Sequence, residues 1–174
     1  MVPIRVLVVD DSAFMRKVIT EIIHAETDME VVGFARNGQD ALRKLAQLEV
    51  DVVTLDVEMP VMDGLETLRH IMDENPLPVV MLSSRTKKGS ETTVQALALG
   101  AVDFIAKPSG PISLDMELVA QEITHKLRLA ASAQFHRPKK PSVTPKRKAS
   151  LTFPEPTQGA ATKLVIIGSS TGGP

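Results

Sequence analysis

Residues 4–12 read Ile-Arg-Val-Leu-Val-Val-Asp-Asp-Ser, and the fold class can be inferred from this stretch. A short run of apolar, largely β-branched residues that ends in two acids is typical of a parallel strand buried on both faces. Behind it, apolar residues recur at helical spacing from Met15 to Ile23, and Ser12 fits the N-cap of that helix. A buried strand that passes at once into an amphipathic helix predicts an α/β protein.

The same strand–helix unit recurs four more times before residue 135. Strands are predicted at Met29–Ala35, Val52–Leu55, Val79–Leu82 and Val102–Ala106. Helices are predicted where apolar residues recur at helical spacing. The second helix is marked by Ala41, Leu42, Leu45 and Leu48, and the third by Leu65, Leu68, Ile71 and Met72. The fourth is marked by Val94, Leu97 and Ala98, and the last by Leu114, Leu118, Ile123, Leu127 and Leu129. Five such units predict a parallel sheet covered by helices on both faces, while the order of the strands stays open.

Polar residues stand where these predicted strands end. Asp10-Asp11 follow the first strand, Asp56 the third, Ser83-Ser84 the fourth and Lys107 the fifth. In open parallel sheets, ligands bind at the carboxyl ends of the strands. We therefore expect these side chains to converge on one edge of the sheet and to form the functional site.

Three converging carboxylates repel one another unless positive charge compensates them. A divalent cation and Lys107 would bring the formal charge of Asp10, Asp11 and Asp56 to zero, and oxygen ligands of this kind suit Mg²⁺. A carboxylate in such a site can be the nucleophile that forms an aspartyl-phosphate, and the Ser83 hydroxyl can bind a phosphoryl oxygen. The simpler alternative is that each acid is a loop residue that caps a helix. The presence of all five polar residues at strand ends favours the phosphotransfer site.

These strand-end motifs resemble those of response-regulator receiver domains. The resemblance covers about residues 3–130 and rests on Val8-Val9-Asp10-Asp11-Ser12, on Asp56-Val57-Glu58-Met59-Pro60-Val61-Met62-Asp63-Gly64, and on Lys107-Pro108. It implies a doubly wound, flavodoxin-like fold with a five-stranded parallel sheet. It also implies a phosphodonor, a phosphohistidine on a sensor histidine kinase.

The same resemblance implies roles for individual residues. Asp56 would be the phosphoacceptor, and Asp11 and Asp56 would bind Mg²⁺. Asp10 would act on the metal mainly through water, and the backbone carbonyl of Glu58 would be a further ligand. The switch and phosphate-contacting positions would be Ser83, Phe104 and Lys107. Phenylalanine at position 104 keeps the packing role of an aromatic that is often tyrosine in this family, but it has no hydroxyl to donate.

Composition argues against several classes of protein. The chain has 174 residues, no Cys, Trp or Tyr, and five Phe. A disulfide framework and a thiolate metal site are therefore excluded, and a stacking platform for single-stranded nucleic acid is not expected. No apolar run approaches the ~20 residues that cross a bilayer. Because Arg5, Asp10 and Asp11 interrupt the early apolar run, we expect no signal peptide. Together with the lack of a membrane-spanning run, this predicts no membrane insertion and a cytoplasmic location.

The formal net charge of −1 is the sum of two unequal parts. Residues 1–134 carry 13 basic and 20 acidic residues, whereas residues 135–174 carry seven basic residues and one Glu. Five of the 12 prolines fall between Pro138 and Pro156, so a flexible, basic linker is predicted over residues 135–162. Such a linker can bind nucleic acid, but with few aromatic residues and no helical order a solvated spacer is favoured, and no nucleic-acid partner is expected.

Beyond the linker, the apolar run Lys163-Leu164-Val165-Ile166-Ile167 leads into Gly168-Ser169-Ser170-Thr171-Gly172-Gly173-Pro174. The G-x-S-x-G pattern fits a turn that exposes a nucleophilic serine between a strand and a helix. A phosphate-binding loop is the alternative, although its Lys-Ser/Thr pair is absent. Behind a receiver and a linker, this turn resembles the start of the esterase domain of the chemotaxis protein-glutamate methylesterase family. By that resemblance Ser170 is the catalytic nucleophile, and methylated chemoreceptors are the substrates for ester hydrolysis and glutamine deamidation.

Three segments are thus predicted: a receiver at 1–134, a linker at 135–162, and a fragment of a second α/β domain at 163–174. By resemblance, the unphosphorylated receiver blocks the esterase site and phosphorylation relieves the block. No residues here match the family's catalytic His and Asp, and His24, His70, His125 and His136 are expected to be surface residues. We expect the 174-residue chain to be a truncated, esterase-inactive monomer. A response regulator with a DNA-binding output, or a stand-alone receiver that docks on a partner, remains the alternative.

Overall fold

The computed structural model describes residues 2–83, 87–107 and 115–132, without the side chains of residues 87–90, 115 and 116. The chain divides into two units, Met1–Pro138 and Lys139–Pro174, and all described residues belong to the first. The predicted linker and the predicted turn with Ser170 therefore lie outside the described residues.

The described residues alternate strictly between strand and helix. The elements are β1 (Ile4–Val9), α1 (Ala13–His24), β2 (Met29–Ala35), α2 (Gly38–Leu45), β3 (Val52–Asp56), α3 (Gly64–Glu74), β4 (Val79–Ser83), α4 (Lys87–Ala98), β5 (Asp103–Ala106) and α5 (Asp115–Ser132). The strands form one parallel sheet in the order β2-β1-β3-β4-β5. The doubly wound, five-stranded fold is confirmed, and the strand order reverses between β1 and β3.

Alternation along the strands divides the core between the two faces of the sheet. On one face, Val6 and Val8 of β1 pack with buried residues of α1 and α5 such as Ile19 and Ile123. On the other face, Leu7 and Val9 pack with residues of α2, α3 and α4, among them Leu68. The central strands are buried on both sides, which explains why their sequences are mostly apolar.

The buried faces of α4 and α5 differ from the prediction. In α4, Thr93 and Ala96 are buried, whereas the expected core residues Val94 and Leu97 are 68% and 44% exposed. In α5, the expected Leu118 and Leu129 are 65% and 53% exposed, and the core residues are Val119, Ile123, Leu127 and Ala130. Since each helical position rotates by about 100°, one residue of phase error moves a side chain from the core to the solvent.

The bounds of several elements also differ from the prediction. The strands β3 and β4 run one residue further, to Asp56 and Ser83, whereas β5 begins one residue later, at Asp103. The helix α2 ends at Leu45, so the expected helical residue Leu48 lies beyond it. No helix within the described ranges is long and apolar enough to cross a membrane.

Candidate functional site

Three aspartates meet at the carboxyl end of the sheet. One carboxylate oxygen each of Asp10, Asp11 and Asp56 lies within 4.8 Å of the other two. Asp10 and Asp56 are buried at 0% and 1% exposure, whereas Asp11 is exposed. The expected convergence of these strand ends is therefore confirmed, and it produces a site with one open side.

Lys107 supplies the positive charge of this site. Its Nζ lies 2.7 Å from Oδ2 of Asp56 and 3.0 Å from Oδ2 of Asp10. The position of the lysine follows from the sheet, because its backbone N–H donates to the carbonyl of Ser83 at the end of β4. Although Lys107 lies within ion-pair distance of both oxygens, neither Oδ2 atom has a hydrogen bond of good geometry within the described part of the chain.

Burial and charge act in opposite directions on the ionisation of this cluster. Burial raises the pKa of Asp56 to about 6, although Lys107 opposes the shift, and the nearby Asp10 adds to it. Burial alone would lower the pKa of Lys107, but the carboxylates of Asp56 and Asp10 outweigh it, and the pKa is raised. At neutral pH the lysine is therefore charged and Asp56 is mostly ionised.

The loop from β1 to α1 is held by hydrogen bonds between residues close in sequence. The Ser12 amide donates to Oδ1 of Asp10 at 2.9 Å, and the Met15 amide donates to Oγ of Ser12, which confirms Ser12 as the N-cap. Arg16, one turn further along, donates to the backbone carbonyls of Asp10 and Asp11. Sequence reasoning missed Arg16, and its spacing of four residues from the N-cap was the available signal.

The loop from β3 to α3 lies against Asp56. The Glu58 amide donates to Oδ1 of Asp56 at 3.2 Å, while the Glu58 side chain is exposed. A Cβ on Gly64 would lie 2.2 Å from the carbonyl oxygen of Asp56, so only glycine fits at this close approach. Val61 takes a φ of 72°, a left-handed conformation that is strained for a β-branched residue.

The predicted switch residues occupy the neighbouring strands. Ser83 is buried at the end of β4, and Phe104 on β5 is 37% exposed. Lys126 of α5 makes two contacts with Phe104. Its Nζ lies 5.1 Å from the ring centroid, and it donates a hydrogen bond to the Phe104 carbonyl at 2.6 Å. Burial tends to lower the pKa of Lys126, but its hydrogen bonds to Glu122 and Asp103 raise it. Sequence reasoning did not single out Lys126.

Comparison with known families agrees with this arrangement. The family model of the response regulator receiver domain matches residues 6–118. The chain belongs to the response regulator receiver family. The receiver resembles the response regulator domain of Thermotoga maritima CheB, with 50% identity and a TM-score of 0.69 over 76% of this chain and 99% of that one. It also resembles a chain in the complex of the CheA3 P1 domain with CheY6 from R. sphaeroides, with 42% identity and a TM-score of 0.63 over 76% of this chain and 100% of that one.

Curated relatives extend the similarity beyond the receiver. A protein-glutamate methylesterase/protein-glutamine glutaminase of Halalkalibacterium halodurans is 53% identical over 98% of this chain and 48% of its own length. The protein of the same name from Bacillus subtilis is 49% identical over 98% of this chain and 49% of its own length. The chain therefore spans about half the length of the curated relatives it matches.

A cavity of about 570 Å³ opens beside the acidic cluster of the receiver. Its lining includes Asp11, Glu58 and Asp63, and also Glu91 and Gln95 of α4. It gives the exposed side of Asp11 room for a ligand and for water, whereas the buried Asp10 and Asp56 do not line it.

The chemistry of the cluster fits a hard divalent cation. All candidate donors in it are oxygens, and the two buried Oδ2 atoms of Asp10 and Asp56 retain unused acceptor capacity. Three negative charges exceed the single positive charge of Lys107, so a divalent cation would balance the site. Mg²⁺, which keeps several waters and takes few protein ligands, suits a cluster with one open side.

Proposed function

We propose that this chain is the receiver part of a phosphorylation-controlled protein-glutamate methylesterase/glutaminase, and that Asp56 is its phosphoacceptor. The observation that supports the proposal is the position of Asp56 at the end of β3. Its carboxylate is buried beside Asp10 and Asp11, and Lys107 Nζ lies 2.7 Å away. A nucleophilic carboxylate with a nearby cation and room for a metal is what phosphoryl transfer to an aspartate requires.

The phosphodonor is a phosphohistidine on a sensor histidine kinase. An Asp56 carboxylate oxygen attacks phosphorus, the phosphorus–nitrogen bond breaks, and its electron pair stays on the donor's imidazole. The product is an acyl phosphate on Asp56. Lys107, already paired with this carboxylate, would neutralise charge on the transferred phosphoryl group. Similarity to a chain in the complex of CheA3 with CheY6 supports a kinase of this kind as the partner.

Asp11, Asp56 and the backbone carbonyl of Glu58 would hold Mg²⁺, and Asp10 would act mainly through water. When bound, the ion would neutralise phosphoryl oxygens during transfer. Similarity to a chain of the CheX-CheY-BeF3-Mg²⁺ complex from Borrelia burgdorferi, at 35% identity, supports this choice of metal.

Ser83 and Phe104 would carry the signal away from Asp56. A phosphoryl group on Asp56 adds negative charge and new acceptor oxygens, which the Ser83 hydroxyl can bind. Movement of β4 toward the phosphoryl group would change the space in which the half-exposed Phe104 ring packs. In the whole protein, this repacking would relieve a block on an esterase whose nucleophile is Ser170 and whose substrates are methylated chemoreceptors. A DNA-binding output is supported only by the basic linker, whereas the relatives of the whole chain carry methylesterase names.

Phosphorylation of the chain tests the role of Asp56. Incubation with acetyl phosphate and Mg²⁺ is expected to add one phosphoryl group to the intact mass, and removal of the metal with EDTA is expected to prevent it. Asp56→Asn is expected to abolish the modification, whereas the matched change Asp73→Asn, at an exposed position of α3, is expected to leave it intact. Equal phosphorylation of the two variants would contradict the assignment.

The whole enzyme tests the regulatory part of the proposal. Methanol release from methylated receptors is expected to rise when phosphodonor is added to the wild-type protein. Asp56→Asn is expected to remove this response, while Asp73→Asn keeps it. A response that survives in Asp56→Asn would show that the control does not pass through this residue.

A further inference from the structure

Arg16 makes an unusual set of contacts beside the acidic cluster. It lies on the first turns of α1, and its Nη1 atom donates to the backbone carbonyl of Asp10 at 2.7 Å and to that of Asp11 at 2.9 Å. The guanidinium group thus binds the peptide backbone of the two acids, and its hydrogen bonds do not go to their carboxylates. Because a charged donor binds a carbonyl more strongly than a neutral one does, these two bonds hold the loop firmly.

The two contacts fix the peptide planes on both sides of Asp11. The carbonyl of Asp10 belongs to the peptide that precedes Asp11, and the carbonyl of Asp11 belongs to the peptide that follows it. The loop is held at two further points, because the Asp10 amide donates to the Ala35 carbonyl and the Ser12 amide donates to Oδ1 of Asp10. Since the Asp11 side chain is exposed, its direction depends on these backbone contacts more than on packing.

We propose that Arg16 is a positioning residue for the divalent cation, and that it aims the Asp11 carboxylate by holding the backbone on either side of it. The inference rests on the proposed metal site. Arg16 would touch neither the ion nor the phosphoryl group. It would act as an outer partner that keeps a metal ligand in place before the ion arrives, and the loss of such partners commonly lowers metal affinity by about 10–100-fold.

Electrostatics alone makes the opposite prediction. A guanidinium cation close to the cluster repels a divalent cation, so removal of its charge would tighten Mg²⁺ binding if charge were its main effect. Removal of a positioning contact would weaken Mg²⁺ binding instead. The sign of the change in Mg²⁺ affinity therefore distinguishes the two roles.

The experiment measures Mg²⁺ binding to the 174-residue chain by isothermal titration calorimetry at constant ionic strength. Arg16→Gln is expected to raise the Kd for Mg²⁺ about tenfold. Arg16→Lys is expected to show a smaller loss, because an ammonium can donate to a carbonyl but lacks the planar, preorganised guanidinium group. The matched control is Lys17→Gln, which removes the same charge at the neighbouring position. The Lys17 side chain is 77% exposed, and its ion pair among the described residues is with Glu21. We expect its Kd to equal or fall slightly below that of the wild type.

Melting temperatures of the metal-free variants separate positioning from general stability. Weaker Mg²⁺ binding in Arg16→Lys at an unchanged metal-free melting temperature would support the proposal, and this variant decides the matter if Arg16→Gln does not fold. Unchanged or tighter binding in the folded Arg16 variants would overturn the role of Arg16 while leaving the metal site intact. Failure of the wild-type chain to bind Mg²⁺ would overturn the metal site and the role of Arg16 together.

Discussion

At the scale of single residues, Thr54 lies two residues before Asp56 on β3, and its hydroxyl makes no hydrogen bond within the described part of the chain. It is fully buried on β3, between Val8 of β1 and Val80 of β4, and its Oγ1 has no hydrogen-bond partner within the described part of the chain. Burial of an unpaired hydroxyl costs free energy, because the group loses water and gains nothing in return. Thr54 and Asp56 are two residues apart on β3, so the apolar core begins next to the charged cluster.

We expect Thr54→Val to raise the free energy of unfolding by about 1 kcal/mol, since valine has the same shape and no polar atom. Urea denaturation would measure the change. The matched control is Thr67→Val, because the buried Thr67 hydroxyl donates to the Asp63 carbonyl at 2.6 Å and its loss is expected to destabilise. A destabilised Thr54→Val would mean that the hydroxyl has a partner in solution.

At the scale of elements, the start of α3 is pressed against the end of β3. The Gly64 amide donates to the Val57 carbonyl at 2.9 Å, and a Cβ on Gly64 would meet the Asp56 carbonyl oxygen and, at 2.8 Å, the Val57 Cα. These are backbone atoms and cannot move aside as a flexible side chain would. The start of α3 therefore packs directly against the backbone at the end of β3, where Asp56 lies.

Gly64→Ala is expected to lower the free energy of unfolding by about 2 kcal/mol through overpacking, and to slow phosphorylation because Asp56 is displaced. Urea denaturation and intact-mass measurements with acetyl phosphate would test both effects. Gly33→Ala is the matched control, since its Cβ would meet only side-chain atoms, Leu48 Cδ1 at 2.8 Å and Leu7 Cδ1 at 3.3 Å. We expect a smaller loss of stability there and normal phosphorylation, and equal effects of the two variants would contradict this account.

At the scale of the whole described unit, Arg128 joins parts of the chain that lie 100 residues apart. Its Nε and Nη2 atoms donate to the two carboxylate oxygens of Asp28 at 2.7 and 2.9 Å, and Nη2 also donates to Glu26 at 2.6 Å. The contact ties α5 to the turn between α1 and β2. The hydrogen bonds from Arg128 lower the pKa of Asp28 below its ordinary value of 3.8.

A carboxyl group whose pKa is lowered by folding adds stability above its unfolded pKa and loses that contribution as the pH falls through the folded value. Arg128→Gln is therefore expected to destabilise the protein at pH 7, with a difference from wild type that shrinks once the pH falls below about 4. Urea denaturation across this range would measure it. Arg43→Gln is the matched control, because Arg43 is 73% exposed and makes one ion pair within its own helix. A difference for Arg128→Gln that stays constant with pH would rule out the ion pair as the cause.

Much of the fold follows from short stretches of sequence. The strand β2 begins and ends at the predicted residues, and β1 covers the apolar run that precedes Asp10, because a largely apolar run between polar residues marks a strand without tertiary information. The helix α4 shows the limit: Val94 and Leu97 fit an apolar spacing, yet they face outward, since a short mixed pattern does not fix the phase of a helix. Which side of α4 meets the sheet depends on α3 and β4.

The five strand–helix units and the charged strand ends that make the site can be inferred from local residue patterns, because hydrophobic periodicity is local and parallel strands bring their carboxyl ends to one edge. Three contacts follow from tertiary packing instead: Arg16 donates to the backbone around Asp11, Gly64 packs against Asp56, and Lys126 donates to the Phe104 carbonyl. Each of these contacts depends on the distance between packed segments. Such distances are set by the whole core, and no local pattern of residues encodes them.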